Sequence, residues 1–393
     1  MAGSHRLARE EMVDKRPPQV STSGMKSGQL PQLDVVRGIA ILLVLWFHDT
    51  YILFPNHENV SLLFQPLTLG WFGVPLFFAL SGFVNHHSTL GRGEFRAGDF
   101  YWRRFWRIYP PYAFAMVTLA ALQWQQKQAT AAELGPQLLV HALMIHNFFD
   151  WSFIGINPSF WSLAVEVQFY LMYPVLLVLR RRCGLRWMLA ITLGFSVLVR
   201  LVPALGLKSL DGWFTWALGM AAAERFHAGA RLLPRGWLFG GGVFLVFGGW
   251  AFYEGPHGSS AIIGGVLATW IVEFAIWSRM SEAAWSRWLA RMGVISYSIY
   301  LMHQPLIWHV YGSGRLWMLP GTTVRMIACL LATTAFMFLL GSAMYSTIEL
   351  GGIRLGSKLR PRGKKPATSG AGVAGEQPSV KDVTRLEAST SVS

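Results

Sequence analysis

Arg37 and His48 lie eleven residues apart inside the apolar stretch 36–54. Eleven residues make three helical turns, so both side chains fall on one face, about 16 Å apart along the axis. Charged or ionisable groups inside a bilayer cost several kcal/mol, and each needs a reason. A guanidinium near one surface suits an anion, and an imidazole about mid-bilayer suits proton or acyl transfer. Asp34 shares their face, whereas Asp49 points about 100° away from His48. Glu166 is the second carrier of chemistry, in the run Trp161-Ser162-Leu163-Ala164-Val165-Glu166-Val167-Gln168-Phe169-Tyr170. It enters from the opposite side to about 9 Å, the same depth as His48. The two are expected to meet, the carboxylate fixing the imidazole tautomer. Ser162 and Tyr170 flank Glu166 by one turn on the same face. His303 lies in a run from Ser296 to Pro305, where the proline kinks the helix and frees carbonyls. Ser81-Gly82 offers one hydroxyl and a close backbone approach. Arg103, Arg104 and Arg107 open another apolar stretch, and Arg103 and Arg107, one turn apart, suit bidentate phosphate binding. Trp102 and Trp106 share that spacing and suit the interface or a planar ring.

Plainer roles stand beside these. An intramembrane His or Glu can bridge helices, Ser81-Gly82 can serve packing alone, and the three arginines can anchor at the membrane surface or bind lipid headgroups. His86 and His87 fall at a helix end and read as interfacial. His141 and His146 are five apart, a poor ligand spacing on a helix, and no metal is expected.

The elements that must position these groups are membrane helices. Of 393 residues, 53% are hydrophobic and only 14% charged, with 18 Trp and 40 Gly. Soluble proteins carry about 25% charged residues. Mean hydropathy is +0.37. Apolar stretches recur at 36–54, 71–87, 105–124, 161–179, 187–205, 212–224, 236–253, 261–278, 294–311 and 323–347. Most have the length a span requires. The expected fold is all-α, a polytopic integral membrane protein with about ten transmembrane helices. Residues 136–153 are apolar but hold His141, His146, Asn147 and Asp150, and read as a re-entrant or interfacial piece of a long outer loop. With that topology, 29 of the 34 Lys and Arg fall on the side of the two tails and 5 on the other. That bias places both termini in the cytoplasm. It also accounts for the net charge of +14 without nucleic acid as a partner. Residues 1–33 and 356–393 are polar and read as disordered cytoplasmic tails around a membrane domain at 34–355. No charged-apolar-small leader opens the chain. Cys183 and Cys329 are too few for a disulfide framework.

Taken together, the motifs resemble the acyltransferase 3 family of bacterial membrane O-acyltransferases. The resemblance rests on Arg37-x10-His48, on Phe77 to Phe83, and on Arg103-Arg104-x-x-Arg107-Ile108-x-Pro110. It extends to Trp161-Ser162-Leu163-x-x-Glu166-x-x-Phe169-Tyr170 and Ser296-Tyr297-Ser298-Ile299-Tyr300-Leu301-x-His303-x-Pro305, covering about residues 30 to 350. It implies a ten-helix domain in the cell (inner or plasma) membrane that takes acyl groups, usually acetyl, from cytoplasmic acyl-CoA. The implied acceptors are hydroxyls of sugars, glycans or macrolides. By position, Arg37 and His48 form the matched functional pair, Arg103, Arg104 and Arg107 serve the donor, and Glu166 and His303 are site residues. Some members add a soluble hydrolase-like domain. Only a short polar tail follows Leu355 here, so the membrane domain is expected to finish the reaction or pass its product to a partner.

Two chemical routes are open for His48. It acts as general base on the acceptor hydroxyl, or it takes the acyl group itself. His303 would help the acceptor or the oxyanion, with the outer loop 125–160 recognising the acceptor. The competing class is a proton-coupled transporter or flippase of a glycan or lipid precursor, which mid-membrane His and Glu also fit. No internal repeat supports it, and a carrier needs no arginine three turns below a histidine. A non-catalytic glycan-assembly partner would leave His48 unexplained.

Overall fold

A computed structural model describes residues 30–54, 62–254, 260–278, 280, 283–312 and 322–360. Among the described residues the secondary structure is helical, with no strand. Most of both expected tails lies outside them.

Helix α1 (Pro31–Leu53) starts with proline in its first turn, where the missing N–H costs nothing, and Asp34 complements the positive end of the helix dipole. A 3-10 stretch (Gln65–Phe72) leads into α2 (Gly73–Leu90), and α3 spans Ala97–Gln125. The short α4 (Ala131–Ala142) opens with a capping box between Thr130 and Glu133. It is followed by single turns at His146–Phe148 and Asp150–Phe153. The segment 136–153 is thus a broken chain of short pieces.

Helix α5 (Phe160–Leu201) is one run of 42 residues broken at Gly184, whose φ of +84° suits glycine. Its first arm keeps step with α6 (Trp213–His227). Phe169 lies by Gly212, the Tyr173 and Trp216 rings are 5.4 Å apart, and Arg180 pairs with Glu224. Its second arm returns, so that Ser196 accepts from the backbone N–H of Phe214 at 3.2 Å. The two arms therefore run in opposite directions around a turn that carries Arg180, Arg181, Arg182 and Arg186.

The remaining helices are α7 (Trp237–Glu254), α8 (Ser260–Ile276), α9 (Ala284–Val294), α10 (Ser296–Gly312) and α11 (Thr322–Met344). A π-helical turn (Tyr345–Glu349) joins α11 to α12 (Leu350–Lys358). Each of the ten expected apolar stretches falls on a helix. By length and hydropathy four helical runs among the described residues can cross a membrane: Pro31–Leu53, Gln65–Leu90, Phe160–Leu201 and Thr323–Lys358. Trp237–Trp250 and Ile262–Ile276 are shorter apolar helices. Helix α3 falls outside this set because prolines, tyrosines and glutamines dilute its apolar residues, and α6 because it is short.

Small residues bring the central helices together. A Cβ on Gly82 of α2 would lie 2.0 Å from the carbonyl oxygen of Trp216, and one on Gly219 of α6 would lie 2.1 Å from that of Ala79. Backbone touches backbone at this crossing, as expected for Ser81-Gly82. The amphipathic α9 crosses α1 in the same way through Gly38 and Gly293. Buried clusters join α3, α5 and α6 on one side, α1, α2 and α8 on another, and α1, α10 and α11 on a third.

Candidate active site

The site is a column of polar groups enclosed by α1, α2, α3, α5 and α10. Its lower part is a cavity of about 120 Å³ into which three guanidiniums converge, those of Arg37, Arg104 and Arg107. Arg37 is held from below by Asp34, with Nη1 to Oδ1 at 2.5 Å. Asp34 is itself fixed by α9, since a Cβ on Gly293 would lie 1.8 Å from the Asp34 carbonyl oxygen. Arg104 lies over two aromatic faces, 5.6 Å from the Phe100 ring centre and 5.7 Å from that of Tyr170, a cation–π arrangement.

Glu166 and Tyr170 line the same cavity, and the Tyr170 hydroxyl donates to the Glu166 carboxylate. Glu166 is charge-coupled to Arg37 and Arg104. The carboxylate expected to meet His48 therefore faces the arginines. Ser81 is bonded three ways at 3.2 Å, to the Tyr170 hydroxyl, from the Asn85 amide and from the Trp216 indole. It serves both packing and the site wall. Oδ1 of Asn85 is buried in the cavity wall with no hydrogen-bond partner.

Above the arginines, Ser162 and Tyr300 close the cavity, with 2.5 Å between their hydroxyls. The Tyr300 ring lies 5.2 Å from that of His303, and the His303 ring lies 4.9 Å from that of His48, edge to face. These two imidazoles meet although 255 residues separate them. Nδ1 of His48 lies 2.8 Å from the Val44 carbonyl, and Nδ1 of His303 lies 2.7 Å from the Tyr300 carbonyl. A carbonyl only accepts, so Nδ1 carries a proton in both rings, and in the neutral ring the lone pair sits on Nε2. Nε2 of His303 is 3.4 Å from the Ser159 hydroxyl, which is also 2.5 Å from Oε1 of Gln304.

The structure thus brings Arg37, Arg104, Arg107, Glu166, Ser81, Ser162 and Tyr170 around one cavity, with His48 and His303 above it. It does not bring Arg103 there; the helix turns Arg104 and Arg107, three apart, toward the cavity instead. Trp102 and Trp106 do not line that cavity. The Trp102 indole donates to the Gly356 carbonyl at 2.8 Å, and Gly352 and Gly356 of α12 leave room for Trp106. Asp49 accepts from Thr333 of α11 at 2.7 Å. His86 differs from its interfacial reading. It is buried at 2% exposure, 2.8 Å from the Tyr173 hydroxyl and 3.3 Å from Glu224, because the ends of α5 and α6 cover it. Tyr300, Asn85 and Ser159 were not singled out from sequence. Tyr300 precedes His303 by one turn, and that spacing was the available signal.

Residues 30–342 match the acyltransferase 3 family, described as an acyltransferase domain. The chain belongs to that family, and is a multi-pass membrane acyltransferase. The acyltransferase MdmB of Streptomyces mycarofaciens is 25% identical over 374 residues, covering 86% of this chain and 95% of its own. The putative membrane-bound transacylase BcsY of Komagataeibacter xylinus is 24% identical over 314 residues, 70% of this chain and 72% of that one. The peptidoglycan O-acetyltransferase OatA of Listeria monocytogenes is 27% identical over 208 residues, 47% of this chain but only 29% of its own length. No solved structure gives a significant match.

Proposed function

We propose that the protein moves an acyl group, acetyl in the first instance, from cytoplasmic acyl-CoA to a hydroxyl of a sugar, glycan or macrolide-type acceptor. The observation that carries this reading is the convergence of Arg37, Arg104 and Arg107 in one cavity whose far wall leads through Tyr300 to His303 and His48. Three guanidiniums suit the phosphates of the donor through charge-assisted hydrogen bonds. The unpartnered Oδ1 of Asn85 suits an amide N–H of a pantetheine arm. Glu166 and Tyr170 act on the arginines, Glu166 by charge and Tyr170 by its ring face.

At the top of the column the thioester meets the lone pair on Nε2 of His48. As base, Nε2 takes the acceptor hydroxyl proton while that oxygen attacks the thioester carbonyl. The C–S bond then breaks, and the thiolate leaves with the proton returned by the imidazolium. As nucleophile, the same Nε2 takes the acyl group and releases thiolate, and the acceptor hydroxyl then attacks the acyl-imidazole. His303 packs edge to face on His48 and would fix its ring. Both termini lie in the cytoplasm in this reading, and access of donor and acceptor from opposite sides would suit an acceptor outside the cell.

The test uses membranes with wild type or His48→Ala at equal protein levels, given acetyl-CoA labelled in the acetyl group. Label should enter lipid-linked, polymeric or small-molecule hydroxyl fractions with wild type only. Equal labelling by both would remove His48 from the reaction. Transient, acid-labile label on the protein in a single turnover, absent from His48→Ala, would identify the acyl-histidine route.

A further inference from the structure

We propose that the groove between the end of α3, the start of α4 and the turn at 151–155 is the acceptor subsite, and that it takes a neutral carbohydrate chain. This rests on the acyl-transfer reading above and adds where the acceptor sits and what its chemistry is. The groove measures about 510 Å³, within the usual range of ligand sites. Its polar lining is Gln123, Gln128, Glu133 and Gln137, and its aromatic wall is Trp151. Two kinds of chemistry meet there. The Gln128 amide, the Gln123 amide oxygen and the Glu133 carboxylate exchange hydrogen bonds with hydroxyls, and an indole offers a flat face to the C–H side of a sugar ring. Neither Lys nor Arg lines the groove, which argues against a phosphate or other anion. Trp151 is 55% exposed, although burial would repay an indole.

The groove is a built feature. The Gln123 amide donates to the carbonyls of Gly155 at 3.3 Å and Ile156 at 3.1 Å, and the Gln137 amide donates to that of Trp151 at 2.8 Å. Glu133 is held by the backbone N–H and hydroxyl of Thr130, both at 2.8 Å. Gly155 admits no side chain, because a Cβ would lie 2.1 Å from Oε1 of Gln137.

The same backbone segment runs straight to the imidazoles. Asn157 donates to the Leu301 carbonyl at 2.9 Å and accepts from the Ser159 N–H at 2.9 Å, and the Ser159 hydroxyl reaches His303. From Gly155 to Ser159 are four Cα steps, at most about 15 Å. A chain of sugars seated on Trp151 would therefore lie near enough to present one hydroxyl to the top of the column, and segment 155–159 ties its seat to His303.

The test is label transfer from acetyl-CoA into the polymeric and lipid-linked fractions of native membranes, with Trp151→Ala and Gln128→Cys. Thermal stabilisation by acetyl-CoA is measured on the same preparations. Trp151→Ala should lower transfer at least tenfold and leave the acetyl-CoA shift at its wild-type value. Gln128→Cys, measured against its own untreated transfer, should lose transfer when intact cells are treated with a bulky, membrane-impermeant maleimide. In intact cells the reagent should not reach the exposed Cys183, which is on the cytoplasmic side in this topology. Wild-type transfer by Trp151→Ala, or undiminished transfer by fully modified Gln128→Cys, overturns the assignment. So does loss of the acetyl-CoA shift in Trp151→Ala, which would make the residue structural. No label with wild type sinks the acyl-transfer reading, and the groove assignment falls with it.

Discussion

Gly293→Ala adds one methyl group against Asp34, about 21 Å from His48 along α1, and the structure sets the size of its effect. That methyl would lie 1.8 Å from the Asp34 carbonyl oxygen and 3.0 Å from the Gly38 amide nitrogen. Both neighbours are backbone and cannot rotate aside. Ordinary contact begins near 3.4 Å, so α9 must retreat from α1 by about 1.5 Å. Overpacking of this kind costs about 1–3 kcal/mol. The displaced carbonyl belongs to Asp34, which holds Arg37 at 2.5 Å, so the guanidinium moves with it. A misplacement of about 1 Å can cost on the order of 100-fold in a positioned reaction. We expect Gly293→Ala to lower thermal stability and to weaken acetyl-CoA binding at least tenfold, read by isothermal titration in detergent. Gly241→Ala in α7 is the control, because nothing lies within 4 Å of its Cβ position. It should be neutral or slightly stabilising, since alanine is the better helix former. Wild-type affinity in Gly293→Ala would refute the link from α9 through Asp34 to the donor cavity.

Other perturbations separate the parts of the site. His48→Gln should cut transfer by about 100- to 10,000-fold and leave acetyl-CoA affinity within twofold, read by steady-state transfer and titration; a matching loss of affinity would place His48 in donor binding. Glu166→Gln should change acetyl-CoA affinity and leave the pH dependence of transfer unchanged, since the carboxylate faces arginines; a shifted pH profile would return it to His48. Glu224→Gln should destabilise the protein by about 1–3 kcal/mol, because Arg180 and the buried His86 lose their shared partner, discounted for Arg180 being 37% exposed. Burial holds His141 and His146, in the outer segment, below the ordinary imidazole range, to about 4 and about 3. Their unfolded forms take protons first as pH falls, so stability should be flat above pH 7 and decline from about 6.5 to about 3. His141→Gln should flatten part of that decline in acid unfolding curves, and an unchanged curve would count against it.

The faces that line the arginine cavity were largely legible because helical periodicity alone decides them. Arg37, Asp34 and Glu166 fell on the faces that the 3.6-residue repeat assigns, and Ser81-Gly82 behaved as a small-residue crossing. Pairings between helices were not legible. His48 could be matched in depth with Glu166, but depth does not fix rotation, and the helix facing His48 at that height is α10 with His303. The choice between Arg103 and Arg104 turned on the rotation of α3, which is set by Phe100 and Tyr170 packing around Arg104. His86 looked interfacial because its own helix ends there, whereas the ends of two other helices cover it. The π-helical turn at Tyr345–Glu349, which buries Glu349 against Ser298 at 2.8 Å, leaves no mark in an apolar pattern.

The split between a cationic lower cavity and a neutral upper pair of imidazoles follows from what a bilayer permits. Three guanidiniums can share one cavity because Asp34 and Glu166 sit among them. An imidazole deeper in must stay neutral to be tolerated, and a neutral ring with Nδ1 committed to a carbonyl is a base or nucleophile by default. Moving His48 one turn toward Arg37 would put its imidazolium beside like charges. Moving it one turn away would put it beyond Tyr300 and Ser162, the hydroxyls that join the two levels. The spacing of eleven residues is therefore set from both ends, by charge repulsion below and by reach above.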